Sequence, residues 1–250
     1  MTPTPLPSLS IVIPCCNEAE GIPHLESKLF PIVEALARTR YVELIFVDDG
    51  SRDQTLALLK QLKAGSFEIK ILQHKKNRGL GAALRTGFQG SQGQVVISTD
   101  SDGTYHFDQI PKILDLLTPG VDIVTASPYH SKGGVENVPP YRLVLSRGAS
   151  FVYEMLLGMK LATYTSMFRA YRREVLEKVP FHSDGFLSVT ELLVNAILMG
   201  FKVVEYPTVL TARQTGASKA KVLRIIRAHL KYQSQVLLTR LGISPRPQAR

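Results

Sequence analysis

A chain of 250 residues, 44% hydrophobic and 20% charged, can bury a sizeable core as one large domain with an appended element, and its composition excludes a disordered protein. It also argues against a membrane span of ~18 uninterrupted apolar residues, because the long stretch 143–162 is broken by Arg147, Glu154 and Lys160. The formal net charge of +9 lies at one end: residues 1–205 hold 21 basic and 21 acidic side chains, whereas residues 206–250 hold nine basic and no acidic ones.

Residues 1–8 are Pro-rich, lack the basic-then-apolar pattern of a signal peptide and are expected to be a flexible N-terminus, so a cytoplasmic protein is expected. The first strand spans 10–13. It runs into Cys15 and Cys16, whose adjacency is poor geometry for pairing with each other, so both read as reduced thiols. A helical pattern follows with Leu25, Leu29, Ile32, Val33 and Leu36, then a strand over 42–47 that ends at Asp48 and Asp49. Next come a helix carrying Leu56, Leu59 and Leu62, a strand over 68–72, a helix over about 80–88 and a strand over 94–99. This alternation is the grammar of an open, largely parallel sheet, in which ligands gather beyond the carboxyl ends of the strands.

Polar clusters occupy those ends: Asn17 and Glu18, then Asp48 and Asp49, then Asp100, Ser101 and Asp102. Two carboxylates at the end of a buried strand repel and lose hydration, a cost that a hard cation such as Mg²⁺ removes while keeping positions for substrate phosphates. An ordinary Asp-rich surface turn is the alternative. Asp48, Asp49, Gly50 and Ser51 could accept hydrogen bonds from a base or ribose, although Ser51 or Asp53 would also cap the following helix in any protein. Lys76, Asn77, Arg78, Gly79 and Gly81 open the next helix, where free N–H groups and cations suit phosphate. This segment is neither a P-loop nor a G-x-G-x-x-G fingerprint.

In the tail, Lys221, Arg224, Arg227 and Lys231 recur every three or four residues, and Val222, Ile225, Ile226, Leu230 and Leu237 lie broadly on another face. Residues 219–250 therefore read as a basic amphipathic helix and tail. Such a helix can lie on an anionic membrane or dock on the domain with its charged face in water. Nucleic acid is not expected as a partner, since the aromatic and Gly signatures of common binding modules are missing.

Four ordered motifs, Ile-Val-Ile-Pro-Cys-Cys-Asn-Glu at 11–18, Val-Asp-Asp-Gly-Ser at 47–51, Asn-Arg-Gly-Leu-Gly at 77–81 and Asp-Ser-Asp at 100–102, resemble family 2 inverting glycosyltransferases. The likeness covers most of residues 9–219. It implies an α/β GT-A (Rossmann-like) fold, a mostly parallel sheet flanked by helices, over 9–218. It also implies that Pro14, Asn17, Glu18, Asp48, Asp49, Ser51, Arg78, Asp100 and Ser101 surround a nucleotide-sugar, with Asp102 and Asp100 toward Mg²⁺ or Mn²⁺ on the diphosphate. Sugar-phosphate nucleotidyltransferases share this fold, but their Gly-rich entry loop is not evident here.

The second half, with Ser127, Tyr129, Lys132, Gly133, Gly134, Arg142, Ser146, the stretch 165–171, Arg213, Gly216, Ser218 and Lys219, looks like polyprenyl-phosphate (dolichol-phosphate) mannosyl- and glucosyltransferases. By that resemblance Arg142 and Ser146 bind the acceptor phosphate, and Arg213 with Lys219 closes over a GDP- or UDP-linked diphosphate and acts with Asp102 in catalysis. A phosphate acceptor, with a second pKa of about 6, needs no protein base. A saccharide hydroxyl would need one, and Asp184 or the acceptor-side Glu191 is the candidate. A nucleotide-sugar-binding protein without turnover is a further alternative. The pattern departs from the subgroup at Pro128, where an Arg is usual, and at Thr104, Thr163 and Met167, the last replacing a Gly and so expected to reshape the sugar or acceptor pocket. Without spanning helices, the basic tail is expected to hold the protein peripherally on the inner face of the membrane.

Overall fold

The computed structural model describes residues 6–211 and 222–249. Its first half alternates as the apolar periodicity predicts: β1 (Leu9–Cys15), α1 (Ile22–Ala37), β2 (Val42–Asp48), α2 (Thr55–Leu59), β3 (Glu68–Gln73), α3 (Leu80–Gly90) and β4 (Val95–Ser98). Helix α2 stops short of Leu62. The second half runs through α4 (Ile110–Asp115), β5 (Ile123–Ser127), β6 (Gly134–Glu136), α5 (Pro140–Leu157), β7 (Arg169–Arg172), α6 (Arg173–Lys178), α7 (Leu187–Leu198), β8 (Val203–Pro207), β9 (Val209–Thr211) and α8 (Val222–Arg240).

Among the described residues, a seven-stranded sheet has the order β3-β2-β1-β4-β7-β5-β8, and β6 pairs with β9 in a small sheet beside it. Every pairing in the large sheet is parallel except those of β7, which runs antiparallel to both β4 and β5. The central strands are apolar on both faces because helices cover both. The pleat sends Ile11 and Ile13 to the layer with α1 and α4, and Val12 to the layer with α3, α5 and α7. At the amino ends of the strands, away from the polar clusters, buried Glu43 accepts from Ser10 Oγ (2.5 Å), Lys70 Nζ (2.6 Å) and Gln92 N–H (2.6 Å). Burial pushes its carboxyl up, and these donors together outweigh burial and leave it below the usual range.

Helix α8 corrects the face expected to dock. Leu230 and Leu237 are exposed, and the seam against the domain is His229, Tyr232, Gln233 and Val236, at the i, i+3, i+4, i+7 spacing of a buried stripe. Hydrogen bonds make this mixed seam specific: Tyr232 Oη donates to Asn195 Oδ1 (2.7 Å), and Tyr153 Oη lies 3.1 Å from His229 Nδ1. Burial holds the His229 imidazole down at about 4, so it docks neutral. Helix α5 packs beside α8 and leaves Tyr141, Val144, Phe151 and Met155 exposed. No helix among the described residues is long and apolar enough to cross a membrane.

Candidate functional site

The carboxyl ends of β1, β2 and β4 converge. Cys15 is the register partner of Asp48. Burial pushes its thiol up, the charges of Glu18 and Asp48 add to the rise, and the Ser101 hydroxyl hydrogen-bonds it. These four residues, each from the end of a strand or the loop just beyond it, therefore meet in one place, and the thiol stays protonated there.

Adjacent Asp48 and Asp49 do different things. Asp49 Oδ1 accepts from His74 Nδ1 (2.6 Å) and Arg78 N–H (2.8 Å), and Oδ2 accepts from Gly79 N–H (2.7 Å). It staples the 74–79 loop, with both of its oxygens engaged by that loop. Asp48 is also buried, but its Oδ2 has no hydrogen-bond partner among the described residues. A buried carboxylate oxygen left so is costly, and a ligand donor would satisfy it. In the segment 76–81 expected to cradle phosphate, three N–H groups are engaged: Gly81 N–H donates to Asp184 O (2.7 Å), and those of Arg78 and Gly79 are held by Asp49, while the side chains of Lys76 and Arg78 are exposed. Gly79 is required here: its φ is +96°, and a Cβ would stand 2.4 Å from Asp184 O.

The loop after β1 is locked to the loop after β2. Asn17, at φ 51°, donates its N–H to Ser51 Oγ (2.9 Å) and accepts Arg52 N–H on Oδ1 (2.7 Å), while Glu18 N–H donates to Thr55 Oγ1 (2.7 Å). Asn17 and Ser51 thus shape the wall that Pro14 and Glu18 border. Asp53 accepts Thr55 N–H (3.0 Å) at the start of α2, a role the sequence left between it and Ser51.

Asp100 and Asp102 follow β4, and Thr99 Oγ1 beside them is buried without a hydrogen-bond partner among the described residues. Asp102 Oδ1 accepts from Thr104 N–H (3.0 Å) and Thr104 Oγ1 (2.6 Å). Thr104 O in turn accepts from Thr211 N–H and Thr211 Oγ1, both at 3.2 Å, so β9 ends against the Asp102 loop. No cluster of three or more His, Cys, Asp or Glu forms among the described residues, and the carboxylates of this loop are Asp100 and Asp102. That donor set fits Mg²⁺ or Mn²⁺, which take oxygen ligands and leave positions for substrate phosphates.

On the other side of β4 stand the residues expected to face the acceptor. Ser146 Oγ and Thr165 Oγ1 are 2.6 Å apart, and Ser127 Oγ and Thr163 Oγ1 are 2.9 Å apart. Arg142, half-buried on α5, bonds Tyr141 Oη (3.3 Å) and has no carboxylate partner among the described residues. The Met167 side chain is packed in the core, and its carbonyl accepts Ser98 Oγ (2.6 Å). Glu191 is buried in α7, and its carboxylate accepts the N–H groups of His182 (3.0 Å) and Ser183 (2.8 Å). Asp184 is ion-paired to Arg85. Arg213 and Lys219 lie outside the described residues.

The profile of the family described as "Glycosyl transferase family 2" matches residues 10–180. The chain belongs to this glycosyltransferase family. It is 34% identical over 228 residues to the polyprenol monophosphomannose synthase of Mycolicibacterium smegmatis, covering 88% of this chain and 84% of that protein. It is 33% identical to the dolichol-phosphate mannosyltransferase of Pyrococcus furiosus, covering 91% of this chain and 65% of that longer protein. The fold matches that of glucosyl-3-phosphoglycerate synthase from Mycobacterium tuberculosis, solved with Mn²⁺, UDP and glucosyl-3-phosphoglycerate, with a TM-score of 0.68 at 23% identity over 95% of this chain and 81% of that chain.

Sequence reasoning assigned no structural role to three residues of this glycosyltransferase, although Arg169 lies in the stretch 165–171 that it singled out. Tyr105 lies under the site, where burial pushes its hydroxyl up and Ser166 Oγ donates to it (3.1 Å). Arg169 is fully buried, with Nε donating to Thr125 Oγ1 (2.9 Å) and Nη2 to Tyr164 O (2.7 Å). Its place at the head of the Arg-Ala-Tyr-Arg strand announces none of these partners. Thr104, noted only as a departure, shows its role in the Asp-x-Thr spacing that lets an Asp side chain bond its own backbone two residues on.

Proposed function

We propose that this glycosyltransferase moves a hexose from a GDP- or UDP-sugar to the phosphate of a polyprenyl lipid, inverting the anomeric carbon. The observation that carries this reading is the fate of the two carboxylates a hydroxyl acceptor would need. Asp184 is paired with Arg85 and Glu191 holds two backbone N–H groups, while Arg142 keeps its charge without a carboxylate partner. A phosphate dianion needs a cation rather than a base. The likeness to the polyprenol monophosphomannose synthase supports the same acceptor.

Asp48, with its open Oδ2, accepts from the base of the nucleotide, and the locked 17–18 and 51–55 loops fix the plane in which that base lies. Asp102 and Asp100 are the residues that would hold Mg²⁺ or Mn²⁺, and Thr104 fixes the Asp102 carboxylate for that purpose. The cation, when bound, neutralises charge on the diphosphate and makes it a better leaving group. Arg142 and Ser146 hold the acceptor phosphate so that one of its oxygens attacks the anomeric carbon as the bond to the diphosphate breaks, the electron pair leaving with the nucleotide. Arg213 and Lys219 add positive charge on the diphosphate side.

The reaction is proposed to occur at an anionic membrane surface on the cytoplasmic side. Exposed Arg224, Arg227, Lys231 and Arg240 of α8 stand among exposed Leu223, Leu230 and Leu237, a mixture that suits headgroups and acyl chains together. The test uses purified protein with Mg²⁺ or Mn²⁺, a panel of UDP- and GDP-sugars, and undecaprenyl or dolichyl phosphate in detergent, with Asp102→Asn as control. Lipid-linked hexose that disappears in the variant is expected. Transfer only to saccharides, or nucleotide binding without any product, would sink the proposal.

A further inference from the structure

Helix α5 presents a third polar residue beside Arg142 and Ser146. Arg147 is exposed, its guanidinium carbon lies 5.0 Å from the centroid of the Tyr129 ring, and it has no carboxylate partner among the described residues. An arginine held over an aromatic face keeps its N–H edge for another anion, and the ring spares it much of the ordering cost of binding one.

Tyr129 fixes where that edge points. It lies in the turn after β5, two residues past Ser127, whose hydroxyl bonds Thr163. Tyr129 and Asp100 both act electrostatically on buried Tyr105. Arg147 thus reaches from α5 to the turn after β5, and its chain neighbour Ser146 meets Thr165. Pro128, next to Tyr129, brings that turn neither a cation nor a backbone N–H. Besides exposed Lys132 further along the turn, positive charge for an anion here comes from the helix above it.

We infer that Arg147, braced on Tyr129, is the second cation of the acceptor-phosphate site and binds the phosphate together with Arg142. This rests on the lipid-phosphate reading of the acceptor. It gives Tyr129 a role as a platform that needs its ring and not its hydroxyl.

Titration calorimetry of the full chain with farnesyl monophosphate tests it, with inorganic phosphate and farnesol as separate arms. Loss of a charged hydrogen-bonding partner predicts that Arg147→Gln weakens farnesyl phosphate binding about 10- to 100-fold. Arg147→Lys should recover only part, because an ammonium lacks the planar fork. Tyr129→Leu should weaken binding by less than Arg147→Gln, and Tyr129→Phe should match the wild type. The KM for the nucleotide-sugar and flotation with anionic vesicles should not move in any of these variants. Equal binding by wild type and Arg147→Gln overturns the inference, as does a loss of vesicle flotation in step with the loss of binding, which would make Arg147 a headgroup contact. A wild type that binds inorganic phosphate as well as farnesyl phosphate points to an anion site without lipid selectivity and overturns it too. A wild type that ignores farnesyl phosphate altogether fails earlier, at the lipid-phosphate reading itself.

Discussion

The donor and acceptor sides of the site are built by different means. On the donor side, backbone is tied to carboxylate and hydroxyl: Asp49 holds the 74–79 loop, Ser51 and Asn17 tie two strand ends together, and Thr104 holds Asp102. On the acceptor side, the charged groups are long side chains of α5, resting on tyrosine rings at 5.0 and 6.0 Å. The first arrangement is rigid before any ligand arrives and suits a small, constant diphosphate. The second adapts, which suits a headgroup that arrives on a flexible lipid.

The contrast can be broken most forcefully at Asp102. Asp102→Asn should lower transfer by about 1,000-fold or more with little change in melting temperature, because its work lies in charge stabilisation; radiolabelled sugar transfer and thermal melts read both. The next effect separates neighbours. Asp49→Ala strips a buried carboxylate from three donors and should cost about 3–5 kcal/mol of stability, whereas Asp48→Asn should weaken nucleotide binding and leave the melt nearly unchanged. Equal behaviour of the two variants in melts and nucleotide titrations would erase the division of labour drawn between them.

On the acceptor side, replacing Arg224, Arg227 and Lys231 together by Gln should weaken vesicle binding by roughly 3 kcal/mol, about 1 for each cation near an anionic surface, read by flotation against phosphatidylserine content. The smallest effect is one of pH. His229 is held at about 4 by burial, against 6.5 for the free side chain. The unfolded chain therefore binds the extra proton first, so stability is full above pH 6.5 and falls as pH drops from 6.5 to 4, by about 2 kcal/mol given some residual solvent contact. Hydrogen exchange in α8 should rise over that window, and His229→Gln should flatten the response.

Most of the donor half was legible because strands buried on both faces read as unbroken apolar runs, as β1 and β2 do, and because strand ends can be counted from them. The chemistry of Asp48 and Asp49 was not. Identical side chains on consecutive residues of a strand end point to opposite sides, and the partner that consumes Asp49, His74, lies 25 residues away. The surroundings of Glu191 and Met167 were illegible for a similar reason: sequence shows their polarity and bulk, and the fold turns one to a backbone turn and the other into the core. Strand β7 escaped because its Arg-Ala-Tyr-Arg sequence is charged at both ends, and the partners of Arg169 and Arg172 are carbonyls and a hydroxyl that no local pattern announces.

The reversed direction of β7 has an evolutionary consequence. A parallel strand meets the ligand edge with its exit loop, but β7 meets it with its entry, the segment 163–167, whose Ser166 touches Tyr105 and whose Thr165 touches Ser146. On the proposed reading of the site, substitution in that segment alters the acceptor side while the exits of β1, β2 and β4 stay as they are, so one side can vary alone because a single strand runs the other way.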